Sequence, residues 1–355
     1  MTDMMERLPT ELMVEVMEYS GRPTIHIFTI VSSKYREIAQ PLLFHRIYVR
    51  SMSYERLPLF VRQMKNSSKL ASMIKILIIH KPGAPKLFQH LFAVVSNLEE
   101  LFIQHAVDNP VLLFSPYCLP NLRRLHFQAS WPDIFNYLVA NFIPYHKVLD
   151  DLKVSFIPRS LNTDPATLRM PPLTASASSG VNRLVTYHGP SCLLSLLTPH
   201  SKMKHLTSSH QLGEGTLRKL SSAVSGGLLS LIVDDPMDPA RSETLPAPLI
   251  PSLFPNLRSI AWLSADINNV SVIDQLPHLR RIWFRSMYTL RHPGIVPFVS
   301  KIRELSDHKH RPLQEIWVYA RGGRPFSRKY FKASVNSLWA LETDLPVVLS
   351  ASQIG

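Results

Sequence analysis

Between Arg7 and Tyr19 the apolar positions Leu12, Val16 and Tyr19 recur at steps of four and three, and Met13 and Met17 form a second stripe beside them. This spacing predicts an amphipathic helix whose wide apolar arc must be covered on two sides. Pro9 suits the first turn, where its missing N–H is not needed, and Glu11 lies near the positive end of the helix dipole. Gly21 and Pro23 stop the helix. Thr24 is a candidate N-cap for a second helix carrying Ile25, Ile27, Phe28 and Val31, and a third runs from Ser32–Tyr35 through Ile38 to Pro41. Three short helices make too small a core to stand comfortably alone, so either the following chain or another protein must cover the spare apolar face.

After residue 70 the pattern changes to one in which positions one, four and six are apolar, as in Leu98-x-x-Leu101-x-Ile103 and Leu122-x-x-Leu125-x-Phe127. With the fourth position as register the series reads Leu77, Leu101, Leu125, Leu152, Leu184, Leu206, Leu231, Ile260, Ile282 and Ile316, at intervals of 22 to 34 residues. Positions four and six share one side of a strand and would stack on their counterparts in the next unit. Pro171–Gly180 and Pro236–Pro251 read as insertions. Phe331, Val335 and Leu338, at four and three residue steps, predict a C-terminal capping helix over Arg328–Leu341.

The N-terminal residues resemble the F-box: Leu8-Pro9-x-Glu11-Leu12, Tyr19 closing the first helix, then Val31-Ser32-x-Lys34-Tyr35-Arg36 and Leu42-Leu43-Phe44. The resemblance covers Arg7 to about Val49. Tyr35 stands where the family often has tryptophan or phenylalanine. The later pattern resembles the leucine-rich repeats that commonly follow an F-box, with a departure at position nine, where Ala106, Ser130, Gly189 or Ala265 replaces the usual asparagine or cysteine. Turns lacking that amide ladder need other partners for their backbone groups.

The expected architecture is thus an α/β chain with an N-terminal three-helix F-box (1–50) followed by an irregular leucine-rich-repeat-like solenoid (51–345) that ends in the capping helix. The resemblance implies that Leu8, Pro9, Leu12, Val16, Val31 and Tyr35 bind the Skp adaptor or support its contact surface. Through the adaptor the chain would join a cullin and act as a substrate receptor of a Skp–cullin–F-box ubiquitin ligase.

Charge points to where a substrate would sit. Net charge is +13, and residues 278–332 carry thirteen Lys or Arg against Glu304, Asp307 and Glu315, whereas residues 1–50 are balanced at six of each sign. Alternation along Arg281–Arg285 sends Ile282 and Phe284 inward and Arg281, Trp283 and Arg285 outward. The next unit directs Trp317, Tyr319 and Arg321 the same way. Arginines among aromatic rings suit an acidic or phosphorylated protein target. The runner-up reading of the same chemistry is nucleic-acid binding, and a scaffold without ligase linkage is a third.

Catalysis is not expected. There is no Gly-rich phosphate loop, no His-Glu-x-x-His and no Gly-x-Ser-x-Gly, and neither a cofactor nor a metal site is predicted. Cys118 and Cys192 stand too far apart in sequence to suggest a disulfide framework, and Met1–Arg7 lacks a secretory pattern, so the expected location is cytoplasm or nucleus.

Overall fold

Pro9 occupies the N-cap of helix α1 (Thr10–Tyr19) and Gly21 that of α2 (Arg22–Val31), while the Ser32 hydroxyl caps α3 (Ser33–His45) by accepting from the Tyr35 N–H at 3.2 Å. Pro41, expected to end the third helix, lies inside it. A proline removes one donor, and here the turn that follows is kept to His45. The structure, a computed structural model, describes residues 8–49, 56–80, 85–107, 119–130, 141–157, 181–209, 212–233, 246–264, 266–286, 297–298, 301, 315–321, 328–334 and 337–343. The chain divides into two units, Met1–Asn162 and Thr163–Gly355.

In the first unit α3 leads directly into strand β1 (Arg46–Val49), which pairs in parallel with β2 (Ile76–Ile79). Strands β3 (Glu100–Val107), β4 (Arg124–Ser130) and β5 (Asp151–Ile157) follow in chain order, each parallel to the one before. Leu77, Leu101, Leu125 and Leu152 fall opposite one another and are fully buried, as is the row Ile79, Ile103, Phe127 and Val154. Helices α4 (Arg56–Asn66), α5 (Ser68–Met73) and α6 (Pro85–Phe92) intervene along the chain, the first burying Leu57, Val61 and Met64, the last Phe88, Leu91 and Phe92.

The second unit contains β6 (Thr186–Gly189), β7 (His205–Ser208), β8 (Ser230–Val233), β9 (Ser259–Ser264), β10 (Arg281–Ser286) and β11 (Glu315–Arg321), again parallel in chain order. Helix α7 (Glu214–Val224) precedes β8, and α8 (Ile250–Leu253) and α9 (Ile267–Gln275) flank β9 along the chain. The register residue of β6 is Tyr187, which pairs with Leu206, and not Leu184, which is buried just before the strand. The Tyr187 hydroxyl donates to the Pro190 carbonyl at 2.9 Å, and a Cβ on Gly189 would fall 2.5 Å from that hydroxyl oxygen. Gly189→Ala is therefore expected to cost ~2 kcal/mol, because a buried ring held at both ends cannot step aside. A denaturant midpoint within error of wild type would show that the ring does move.

The expected sequence of a three-helix F-box followed by a leucine-rich-repeat-like solenoid is corrected by this structure. The first helices are not set ahead of the sheet: no linker separates α3 from β1, and β1 is hydrogen-bonded into the parallel ladder, the carbonyls of His45 and Val49 accepting from Lys75 and His80. The chain is an α/β protein built on parallel strands that begin at the end of its third helix. Arg328–Leu341 is also not a capping helix. It forms β12 (Arg328–Ser334), antiparallel to β11, and most of β13 (Ser337–Thr343), antiparallel to β12. Phe331 lies opposite both Val318 and Leu341, so cross-strand pairing replaces the helical spacing that the sequence suggested.

The segments leading into the strands are tied to one another through their backbone groups. Before β3, β4, β5, β7, β8, β9 and β10 one backbone carbonyl accepts from two successive N–H groups of the next segment, as Lys75 does from Glu99 and Glu100, Glu99 from Arg123 and Arg124, and Leu229 from Arg258 and Ser259. Asparagines directly preceding the buried Leu98, Leu122 and Leu257 add a second tie. Asn97, Asn121 and Asn256 donate to the carbonyls of Ser72, Ser96 and Gly226 at 3.1, 3.1 and 3.0 Å. None of the described helices is long and apolar enough to cross a membrane.

Candidate functional site

The three N-terminal helices share a small core of Met13, Met17, Ile25, Tyr35 and Ala39, against which Leu8, Phe28, Ile38, Leu42 and Leu43 pack. Phe28 and Tyr35 meet edge to face with ring centres 5.9 Å apart. Side chains tie α2 to α3 at both ends. Arg36 donates through Nε to the Thr29 carbonyl at 2.8 Å, and Arg22 donates to the carbonyls of Leu43 and Arg46 while its guanidinium lies 5.8 Å from the Tyr48 ring centre.

Of the two apolar stripes on α1 the methionines turn inward and the other stays outside. Leu12 is 46% and Val16 41% exposed, and Tyr19 projects from the end of the helix. On α2, Ile27, Ile30 and Val31 are likewise uncovered, Val31 to 53%. Covering these apolar side chains would remove their exposed area from water, which is favourable.

The six residues expected at an adaptor contact divide accordingly. Leu12, Val16 and Val31 are exposed, and Pro9 is exposed at the start of α1. Leu8 is half-buried against the helical core. Tyr35, only 4% exposed, belongs to that core. Tyr19, Ile27 and Ile30 are exposed too, and sequence reasoning does not single them out. The three-and-four spacing of Ile27, Ile30 and Val31, clear of Ile25 and Phe28, carries that signal.

The residues expected to take a target lie on two adjacent strands. Pairing sets Arg281 opposite Glu315, Trp283 opposite Trp317 and Arg285 opposite Tyr319, with Arg321 at the end of β11. The expected outward ring of Trp283 is corrected: it is only 5% exposed and clusters with Ile232 and Ala261. Register explains this, for Trp283 faces the small Ala261, which in turn faces Ile232. Arg281 is half-buried; the side chains of Arg285, Trp317, Tyr319 and Arg321 lie outside the described residues.

In the first unit several polar side chains in and just before the strands are paired with one another. Lys75 Nζ lies 2.8 Å from Glu99 Oε1 and holds that carboxyl below its ordinary range, while Arg124 bonds Glu100 at 2.9 Å. His126 Nε2 lies 3.4 Å from Asp151 Oδ2, with the Phe102 ring edge-on to the imidazole. Among the described residues no three His, Cys, Asp or Glu side chains are grouped to hold a metal ion.

Among the described residues His146 is a deeply buried imidazole. His146 stacks on Phe142 with ring centres 3.7 Å apart, places Nδ1 2.8 Å from the Phe142 carbonyl and leaves Nε2 buried with no hydrogen-bond partner. Burial pulls this imidazole from 6.5 down to about 4, the bond to Phe142 opposing it. Between those values the unfolded chain binds one proton more than the folded one. Stability is therefore full above about pH 6.5 and falls as the pH drops to about 4, by ~3 kcal/mol in all. Chemical denaturation of wild type and His146→Leu at pH 7 and pH 4.5 is expected to show the larger acid loss in wild type; equal losses would remove His146 as the cause.

No protein-family model matches the chain, and no curated protein matches it.

Proposed function

We propose that the chain is a non-catalytic substrate receptor of a Skp–cullin–F-box ubiquitin ligase, whose first two helices dock the Skp adaptor. The observation that carries this reading is that Leu12 and Val16 on α1 and Val31 on α2 are left exposed while Met13, Met17 and Tyr35 fill the helices' own core. Its sequence context, Leu8-Pro9-x-Glu11-Leu12 and Val31-Ser32-x-Lys34-Tyr35-Arg36, supports the choice of partner. The mechanism is proximity: the helices hold the ligase and the remainder of the chain holds a target, which raises the effective concentration of one near the other. An acidic or phosphorylated protein is the proposed target, taken by Arg281, Arg285 and Arg321 on β10 and β11 with Trp317 and Tyr319, and without the buried Trp283. Affinity purification of the tagged full-length chain from cells tests the reading. Adaptor and cullin are expected to co-purify in stoichiometric amounts, and recovery of neither would end it.

A further inference from the structure

A second surface of the first unit differs in chemistry from the exposed apolar residues of α1 and α2. Residues 56–98 hold seven Lys or Arg and no Asp or Glu. On α4 and α5 the buried side is Leu57, Val61, Met64 and Ala71, which leaves Arg56, Arg62, Lys65 and Lys69 on the exposed side with Gln63 and Asn66. None of the four cations is ion-paired or hydrogen-bonded among the described residues, in contrast to Lys75, which Glu99 satisfies. Arg62 and Lys65, three positions apart within α4, are neighbours on that helix, and Lys69 follows on α5 beyond the Ser67 cap.

We propose that this exposed face of α4 and α5 is a sequence-independent site for the phosphate backbone of a nucleic acid. Three features favour that polyanion. A protein partner needs an apolar centre to dry the contact, and this face offers only Leu59. Insertion into a membrane needs a free apolar side, and that side of α4 is already buried in the core. A phosphate chain needs neither, because neutralising its charge and releasing counterions supply the affinity. Gln63 and Asn66 add amide donors for phosphate oxygens.

The test uses the full chain and a fluorescein-labelled 20-base-pair DNA duplex of arbitrary sequence, titrated between 50 and 200 mM salt. Four phosphate contacts give a slope of log affinity against log salt of about −3.6, or roughly a 100-fold loss over that range. The triple variant Arg62→Glu, Lys65→Glu, Lys69→Glu is expected to bind more than tenfold more weakly and to flatten the slope by about 2.7, with an unchanged circular dichroism spectrum. The inference is overturned if the wild-type chain does not bind at 50 mM salt, if the triple variant keeps the wild-type slope, or if polyglutamate displaces the duplex equally well per charge, which would make the site one for acidic protein. It stands independently of adaptor binding, which the triple variant is expected to retain.

Discussion

Replacing Leu12 and Val16 together by aspartate is expected to weaken binding of the Skp adaptor by more than ~100-fold while leaving the thermal midpoint of the chain unchanged. Both side chains lie outside the buried core of the helices, so the folded chain loses little by their removal. Full burial of such a side chain contributes roughly 1.5–3 kcal/mol, so covering the somewhat less than half of each that is still exposed contributes about 1 kcal/mol each. Placing two carboxylates there also leaves charges that the bound state must desolvate. Fluorescence anisotropy with labelled adaptor measures the loss, and a double variant that binds within threefold of wild type would place the contact elsewhere. Met13→Asp, by contrast, is expected to unfold the helices, since Met13 lies in their shared core.

Tyr35→Ala is expected to cost ~3–5 kcal/mol and to melt the N-terminal helices, the usual range for removing a large buried aromatic side chain. The ring supports Phe28 edge to face and closes the core that α1, α2 and α3 share. Tyr35→Phe is the informative companion. The buried tyrosine hydroxyl has no hydrogen-bond partner among the described residues, so its loss is expected to be neutral or slightly stabilising. Urea unfolding followed by helical signal reads both variants. If Tyr35→Ala kept wild-type stability but lost the adaptor, Tyr35 would be a contact residue, contrary to its burial.

Several parts of this fold are legible in the residues because a parallel strand buried on one face leaves a simple trace. Leu77, Leu101, Leu125 and Leu152 in the first unit, and Leu206, Leu231, Ile260, Ile282 and Ile316 in the second, are both the apolar register of the sequence and the aligned rows of the strands. Side-chain period two makes such rows robust, since a one-residue slip would turn every leucine outward. Leu184 shows the limit. Tyr187 takes the strand position because its hydroxyl can close on the Pro190 carbonyl, a tertiary reason that spacing does not carry.

Other parts were legible only in retrospect. Pro41 reads as a stop, yet α3 continues and delivers the chain straight into β1, and that continuity decides how the helices relate to the sheet in the first unit. Arg328–Leu341 has helical spacing, but Tyr330, Phe331 and Trp339 are also good strand residues, and pairing with β11 settles the choice. At the candidate site the two apolar stripes of α1 were visible in the sequence. Which one turns inward depends on the neighbours Ile25, Tyr35 and Ala39, so Leu12 and Val16 could not be told from Met13 and Met17 as contact residues by spacing alone.

Isothermal titration of purified Skp adaptor into the purified full-length chain tests the central claim most directly. A one-to-one complex with a negative heat-capacity change on binding, abolished by the Leu12 and Val16 aspartates, is the expected result. Absence of any complex at micromolar concentrations of a properly folded chain would contradict it.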